Sequence, residues 1–330
     1  MLFENAFKKR GEIMNQKIQS YTFIIIVVTL LLSFTVQQSN AQEAGYFNHH
    51  YFLPVLINPG ATGFQGDHEI LAGYKNNYAD FDDAPRSYTL LYDGSFANNI
   101  GLGLQLTSDK VGVSHLFEGQ LNYAYRFTIN DVVLSVGLST AIQTSKISDV
   151  QSGAEVDPDD ILLQEAINGY TLFDGSAGVY GEANKKFFFG VSFPNLIKNR
   201  LSEIQGDINL PDFDVFSYAV LVGYRFDIQD YNFTVEPSLN VTDLRYSSFQ
   251  INGNLKFSFL DEQLVGGLGY AFGENDESLA SLLMGTRINN LRLFYSYNVS
   301  LGNFQKYNNG SHELTLVYRI PPRSTPPPTE

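Results

Sequence analysis

The sequence of 330 residues contains no cysteine and no tryptophan. The lack of cysteine excludes disulfides, thiolate metal sites, a cysteine nucleophile and a lipid anchor on an N-terminal cysteine. Basic residues are also scarce, with 21 Lys and Arg against 35 Asp and Glu, and the formal charge of −14 argues against a nucleic-acid partner. Beyond the first 41 residues, no hydrophobic run approaches the length of a membrane helix.

The N-terminal region has the features of a secretory signal peptide. Basic residues precede an apolar run from Phe23 to Val36, and Ser39-Asn40-Ala41 offers small residues where a signal peptidase cleaves. We expect residues 1–41 to be removed, whether translation begins at Met1 or at Met14. Any membrane span in the mature chain would then have to be made by strands of a closed sheet.

Apolar and polar residues alternate over long stretches of the mature chain. From Tyr231 to Thr242 every odd position is apolar and every even position is polar. The same period of two recurs in residues 121–129, 132–142 and 291–299. Strands in soluble proteins usually have about 5–6 residues, so alternation of this length indicates tilted strands that cross a bilayer. Arg126, Glu236 and Arg292 fall on the polar face, which would line the lumen of a barrel.

We therefore predict an all-β fold, a transmembrane antiparallel β-barrel of the outer-membrane type with about fourteen strands. The barrel covers residues 67–320, after a periplasmic or lumenal N-terminal arm at 42–66 and before a Pro-rich periplasmic tail at 321–330. The predicted strands are 67–78, 86–96, 99–108, 115–128, 131–144, 170–182, 185–194, 213–227, 230–242, 245–259, 262–272, 278–288, 291–302 and 311–320.

Tight turns join the predicted strands at one end, and the intervening connections are longer on the whole. Tight, Asn-rich turns are predicted at 97–98, 130, 183–184, 228–229 and 289–290, and longer connections at 79–85, 109–114, 145–169, 195–212 and 302–310. Outer-membrane barrels have short periplasmic turns and long extracellular loops. We therefore expect an outer-membrane location in a Gram-negative cell, with both termini periplasmic.

The sequence offers little for catalysis or metal binding. None of the five histidines lies in a nucleophile motif, so we expect a protein that is not an enzyme and has no cofactor. His49-His50 and the Asp157-Pro158-Asp159-Asp160 segment are weak metal candidates, because further ligands at suitable spacing are lacking. Fourteen strands leave room inside for water, a plug or a ligand. Diffusion through the lumen, or transport of a hydrophobic ligand, stays open as an alternative function.

A set of short motifs follows in order along the chain. They are Asn58-Pro59-x-Ala61-x-Gly63, Ala84-Pro85-Arg86-Ser87, Gly101-Leu102-Gly103, Asp109-Lys110-x-Gly112, Tyr123-x-Tyr125-Arg126 and Gly310-Ser311-His312-Glu313-Leu314. Together they resemble the PorP/SprF family of outer-membrane proteins, associated with type IX secretion and gliding motility in Bacteroidetes. The resemblance implies a non-enzymatic barrel that helps to export or anchor surface proteins. Its partners would be a secreted adhesin or the periplasmic ring of the secretion machine, in addition to outer-membrane lipid.

Three of these motifs are predicted to lie close together at the extracellular end of the barrel, since its first and last strands are neighbours. They are Ala84-Pro85-Arg86, Asp109-Lys110-x-Gly112 and Gly310-Ser311-His312-Glu313. The hypothesis is that this outer rim binds an exported partner. A binding site there favours a role in anchoring a surface protein over a role as a partner of the periplasmic ring. The docking residues would be Pro85, Arg86, Asp109, Lys110, His312 and Glu313, while Asn58, Pro59 and Gly63 form a structural motif. The alternative is that the rim residues only shape turns and satisfy local hydrogen bonds.

Overall fold

Antiparallel strands follow one another along the chain and pair in sequence order. Each alternating stretch forms a strand with one face toward lipid and one toward the interior. The computed structural model describes residues 48–77, 84–96, 99–147, 167–197, 199–200, 217–228, 231–244, 247–273, 278–301 and 310–321. The predicted signal peptide, the Asp157–Asp160 segment and the Pro-rich tail beyond residue 321 lie outside these ranges. Among the described residues, no helix has the length and apolar character needed to span a membrane.

Three short 3-10 helices precede the strands. They are η1 Asn48–Tyr51, η2 Pro54–Leu56 and η3 Pro59–Ala61. The strands are β1 His68–Asn76, β2 Arg86–Phe96, β3 Ile100–Val111, β4 Ser114–Ile129, β5 Val132–Ile147, β6 Tyr170–Ala183, β7 Phe187–Phe193, β8 Asn199–Arg200, β9 Tyr218–Tyr224, β10 Phe226–Ile228, β11 Phe233–Leu244, β12 Ser247–Phe259, β13 Leu264–Gly273, β14 Ser278–Ile288, β15 Leu291–Ser300 and β16 Ser311–Ile320.

These segments form a closed barrel of fourteen strands. β9 and β10 both pair with β11 and are two parts of one strand, while the two-residue β8 pairs with β6 beyond the end of β7. The last strand, β16, pairs with β1 over the whole of β1, from His68 to Asn76. The predicted fold class and strand number are confirmed.

The two faces of the wall differ as the alternation predicts. Large apolar side chains such as Leu121, Leu138 and Leu268 are more than half exposed and point outward, where lipid would cover them. Side chains of the opposite parity point inward. The inward positions of Glu236 and Arg292 are confirmed, since these side chains are only 13% and 15% exposed and belong to ion pairs inside the barrel.

The connections are on the whole longer at one end of the barrel than at the other, with one correction. One end of the barrel carries short turns, whereas long connections at the other end join β1 to β2, β5 to β6, β7 to β9 and β15 to β16. We call these the short-turn end and the long-loop end. The predicted loop from Asp109 to Ser114 is wrong: β3 continues to Val111, and a two-residue turn with Gly112 at φ +57° leads into β4. Polar residues can continue a strand there, because the lumen is hydrated and the outward face leaves the apolar band.

The interior of the barrel holds a hydrophobic core as well as polar side chains. Inward-facing residues of the wall form one buried apolar cluster with residues that precede β1. The buried members are Leu53, Leu56, Leu71, Leu91, Val265, Leu283, Phe294 and Val317. Burial of this apolar surface stabilises the segment before β1 inside the barrel, at about 25 cal/mol per Å² removed from water.

Candidate functional site

The lumen is occupied by the segment that precedes β1, residues 48–66, which we call the arm. β1 begins at the short-turn end, and the arm runs from there through the lumen to Asn48, which contacts Glu313 near the long-loop end of β16. Proline at the first turn of η2 and of η3 favours these short helices, because its φ is already helical and its missing N–H is not needed there. The arm makes the barrel a plugged one.

The first anchor of the arm is the carboxylate of Glu313. Its two oxygens accept hydrogen bonds from the backbone N–H groups of Asn48 and His49, at 2.9 and 3.0 Å. Nδ1 of His49 lies 3.1 Å from the same carboxylate and 2.8 Å from the hydroxyl of Thr315, and Nε2 lies 2.8 Å from the hydroxyl of Ser296. Glu313 is fully buried, with 0% exposure, and His49 is 1% exposed. A buried carboxylate of this kind is strongly bonded only while the arm is in place.

The charge state of His49 follows from its surroundings. Burial lowers the pKa of its imidazole below the ordinary 6.5; Glu313 acts in the opposite direction, and Lys75 adds to the lowering. The imidazole is therefore neutral at neutral pH. With the proton on Nδ1 facing Glu313, Nε2 accepts a hydrogen bond from Ser296, so both ring nitrogens are satisfied.

The second anchor is the Asn58-Pro59-Gly60 turn. The side-chain oxygen of Asn58 accepts from the N–H of Gly60 at 2.9 Å, and its amide nitrogen donates to the carbonyl of Val179 on β6 at 3.0 Å. The turn lies directly against the backbone of β5, where a Cβ on Gly137 would overlap the carbonyl group of Pro59. Glycine in the wall is therefore required for this close approach.

The third anchor lies where the arm reaches the short-turn end. The N–H of Gly63 donates to the carboxylate of Asp93 on β2 at 2.7 Å. The guanidinium of Arg126 on β4 donates to the carbonyls of Gly63 and Phe64. Three groups of wall residues, on both sides of the lumen, thus hold the arm, through its backbone at the first and third anchors and through the side chain of Asn58 at the second.

A chain of ion pairs lines the lumen at the short-turn end, and we call it the charge belt. Its members alternate in sign, each within 4.0 Å of the next. They are Asp67, Arg319, Glu69, Arg292, Glu262, Lys256, Glu236, Arg225 and Glu182. Burial alone would raise the pKa of Glu262, but Lys256 and Arg292 keep it below its usual value, so Glu262 stays ionised at neutral pH. The ammonium of Lys256 also lies 5.9 Å from the ring centre of Phe52, so the belt contacts the arm.

The arm divides the free volume of the lumen. At the short-turn end lies a cavity of about 410 Å³, with the charge belt on its wall and apolar residues of the arm, including Phe52, Val55 and Phe64, on its inner side. A second, smaller cleft of about 30 Å³ lies beside His49 and His50, and its lining includes the side chains of Asn240, Gln250 and Ser296. In the part of the chain that the structure describes, no three His, Asp or Glu side chains converge as metal ligands.

The six residues predicted at the outer rim lie on neighbouring strands at the long-loop end, but on two faces of the wall. Glu313 and Asp109 point into the lumen, and Lys75 and Ser87 lie between them in the register. Their sequence neighbours point outward. His312, Arg86 and Lys110 follow one another in the adjacent row, with Asn76 between the first two, and Pro85 directly precedes β2. Glu313 is bound by the arm and is not available to an external partner.

Sequence reasoning placed Arg126, Glu236 and Arg292 on the lumen face, but it missed the contacts that hold the arm and the other members of the charge belt. A signal for the buried arm was present, since several strands carry two consecutive apolar residues and therefore have apolar groups on both faces. The pairs are Ile70-Leu71, Leu90-Leu91, Leu282-Leu283, Leu293-Phe294 and Leu316-Val317, and the second member of each is buried. A barrel strand that is apolar on both faces must be covered on its lumen side too.

Comparison with known proteins gives one family match. A family model described as "Type IX secretion system membrane protein PorP/SprF" matches residues 39–318. No curated protein matches the chain.

Among solved structures, several outer-membrane proteins are similar at low identity. The CymD monoaromatic hydrocarbon channel is 13% identical and covers 86% of this chain and 95% of its own, with a TM-score of 0.46. Omp33 of Acinetobacter baumannii is 8% identical and covers 77% of this chain and 98% of its own, with a TM-score of 0.44. Outer membrane phospholipase A of Escherichia coli is 12% identical and covers 77% of this chain and 92% of its own, with a TM-score of 0.34.

Proposed function

Because the chain belongs to the PorP/SprF family of type IX secretion system membrane proteins, we propose that it helps to export or anchor one surface protein, such as a large adhesin, without catalysing a reaction. The fold is that of an outer-membrane barrel. The proposal concerns the client and the place where it binds, which we assign to the long-loop end of the barrel.

The observation that carries this proposal is the plugged lumen. Three sets of wall residues hold the arm, and an apolar core surrounds it, so among the described residues the arm occupies the space that a diffusion porin would keep open. A barrel with a filled lumen can bind a protein partner at the surfaces of its two ends. Long connections at the long-loop end join four pairs of strands, and binding residues are often found in such connections.

The proposed orientation places the short turns in the periplasm and the long loops outside. The C-terminal end of β16 is then periplasmic. The N-terminal end of the described arm, Asn48, lies in the lumen toward the long-loop side, and the periplasmic position of both termini stays a prediction. We assign docking to the loops at the rim, with Pro85 at the entry of β2 shaping the rim and Arg86, Lys110 and His312 at its base.

Deletion of the gene followed by surface proteomics tests this function. We expect one or a few large adhesins to disappear from the surface while other secreted proteins remain, and a plasmid copy of the intact gene to restore them. An unchanged surface proteome in the deletion strain would refute the proposal and favour a porin or a transporter.

A second candidate function is a core component of the secretion machine, linked to the periplasmic ring. The cavity of about 410 Å³ at the short-turn end favours it, because its charged wall and apolar inner side suit a protein partner on the periplasmic side. The same experiment separates the two candidates, since loss of a core component would stop the export of all type IX substrates.

A further inference from the structure

Basic side chains form a row on the outward face of the barrel at the long-loop end, which we call the basic row. It consists of His312 on β16, Arg86 on β2, Lys110 on β3, His115 on β4 and Lys146 on β5. Asn76 on β1 pairs with both His312 and Arg86, Arg86 pairs with Lys110, Lys110 with His115, and His115 with Lys146. Since neighbouring strands lie about 4.8 Å apart, the row is about 24 Å wide.

The acidic residues of the same strands point the other way. Asp109, Glu118 and Glu313 face the lumen, and the described strand residues of β15, β16 and β1–β6 place no Asp or Glu on the outward face. Of the acidic side chains on described strands, Asp243 faces outward, and it lies on β11, away from the row. The wall therefore separates charge across its thickness at this end, which favours an anionic ligand on the outer surface.

The basic row lies at the edge of the apolar band. The next outward positions below it are apolar or aromatic on most strands, including Leu314, Tyr74, Tyr88 and Phe117. From Arg86 to the last outward residue of β2, Phe96, the strand is about 34 Å long, which at a tilt of about 40° gives a height of about 26 Å. This height matches the apolar band of about 25 Å in outer-membrane barrels. The row is thus at the level of lipid head groups.

Two members of the row are well placed to bind a ligand. Arg86 and Lys146 are exposed, and neither forms an ion pair with another residue in the part of the chain that the structure describes. Guanidinium and ammonium groups are the side chains that bind phosphate most strongly, Arg through two parallel hydrogen bonds and Lys as a point charge.

We propose that the basic row binds the phosphate groups of a phosphorylated glycolipid in the outer leaflet, while the acyl chains cover the apolar and aromatic positions below. The assignment to the outer leaflet rests on the orientation proposed above. Arg86, Lys110 and His312 then hold lipid at the base of the rim, and the exported partner contacts the loops above them. The bound lipid would fix the height of the barrel in the membrane.

Lipid titration of the purified full chain in detergent tests the proposal. The variant R86Q/K146Q removes two exposed charges from the row, and K185Q/K186Q removes two exposed charges from the turn between β6 and β7, at the other end. Purified lipopolysaccharide, its dephosphorylated form and phosphatidylglycerol are the probes, with binding followed by native mass spectrometry. We expect R86Q/K146Q to weaken lipopolysaccharide binding about tenfold or more, and K185Q/K186Q to leave it unchanged.

Three results would overturn the proposal. R86Q/K146Q could bind lipopolysaccharide like the wild type, the dephosphorylated form could bind equally well, or phosphatidylglycerol could bind as tightly with the same dependence on the row. Both variants must first give folded barrels with wild-type melting temperatures. If R86Q/K146Q does not fold, the double variant R86Q/K146A replaces it. The proposed function is tested separately by the surface proteome of the deletion strain, so either can fail without the other.

Discussion

Neutralising Glu313 is expected to loosen the arm without unfolding the barrel. In the E313Q variant one oxygen becomes an NH2 group, which cannot accept from the backbone N–H of Asn48 or His49, and the other acceptor loses its charge. A hydrogen bond to a charged group contributes about 1.5–3 kcal/mol, and a buried donor without a partner costs about 1–3 kcal/mol. We take about 3 kcal/mol as the net effect, which corresponds to a roughly 100-fold increase in the population with the arm released.

Hydrogen exchange of the arm measures this effect. Peptides that cover residues 48–57 should exchange up to about 100-fold faster in E313Q than in the wild type, because their protection depends on the arm being in place. Planar-bilayer recordings should show openings in E313Q and a closed wild-type barrel.

A matched control is available on β6. Asp174 is also a buried carboxylate, 3% exposed, and it accepts from the N–H groups of Gly175 and Ile197 and from the side chain of Asn195. D174N removes a comparable buried acceptor, and the hydrogen bonds to Gly175, Asn195 and Ile197 lie outside the arm. Arm exchange in E313Q equal to the wild type, or equal acceleration in D174N, would refute the reasoning.

The remaining predictions concern the wall, the arm and the belt. G137A should lower the melting temperature of the barrel and speed exchange in the arm, because the new Cβ overlaps it, whereas G253A, where the Cβ meets open space, should leave both unchanged. The pKa of His49 is lower in the fold than its ordinary 6.5, so the released arm binds more protons. Anchoring is therefore fully present above about pH 6.5 and weakens as the pH falls below it. Because the intrinsic rate of amide exchange itself falls with pH, the quantity to compare is the protection factor of the arm amides, which should be lower at pH 5.5 than at pH 7.5 in the wild type but not in H49Q. R292M should cost about 1.5–3 kcal/mol in urea unfolding by removing the 2.7 Å bond to Glu69, and E69Q/R292M should cost less than the sum of the single changes; strict additivity would mean that the pair is not coupled.

The barrel could be predicted from the sequence because its signal is local. A period of two repeats within each strand, and the length of each connection can be read between strands, so the fold class and the number of strands follow without any tertiary information. The loop predicted at Asp109–Ser114 failed for a local reason too. Asp109, Lys110 and Ser114 are polar, and a strand that extends beyond the apolar band has no need of apolar residues.

The contents of the lumen were decided by contacts between residues far apart in sequence. Asn48 and His49 meet Glu313 more than 260 positions later, and the short 3-10 helices of the arm have no periodicity that would place them inside. Doubly apolar strand positions pointed to a covered inner face, but not to the segment that covers it.

The sequence by itself determined that this protein is a fourteen-stranded barrel with short turns at one end, because alternation and connection length are properties of neighbouring residues. Only the tertiary structure decided that Glu313 binds the arm inside the lumen, while its neighbour His312 faces outward with Arg86. Adjacent residues of a strand point to opposite faces, and which face is filled depends on the closure of the whole ring.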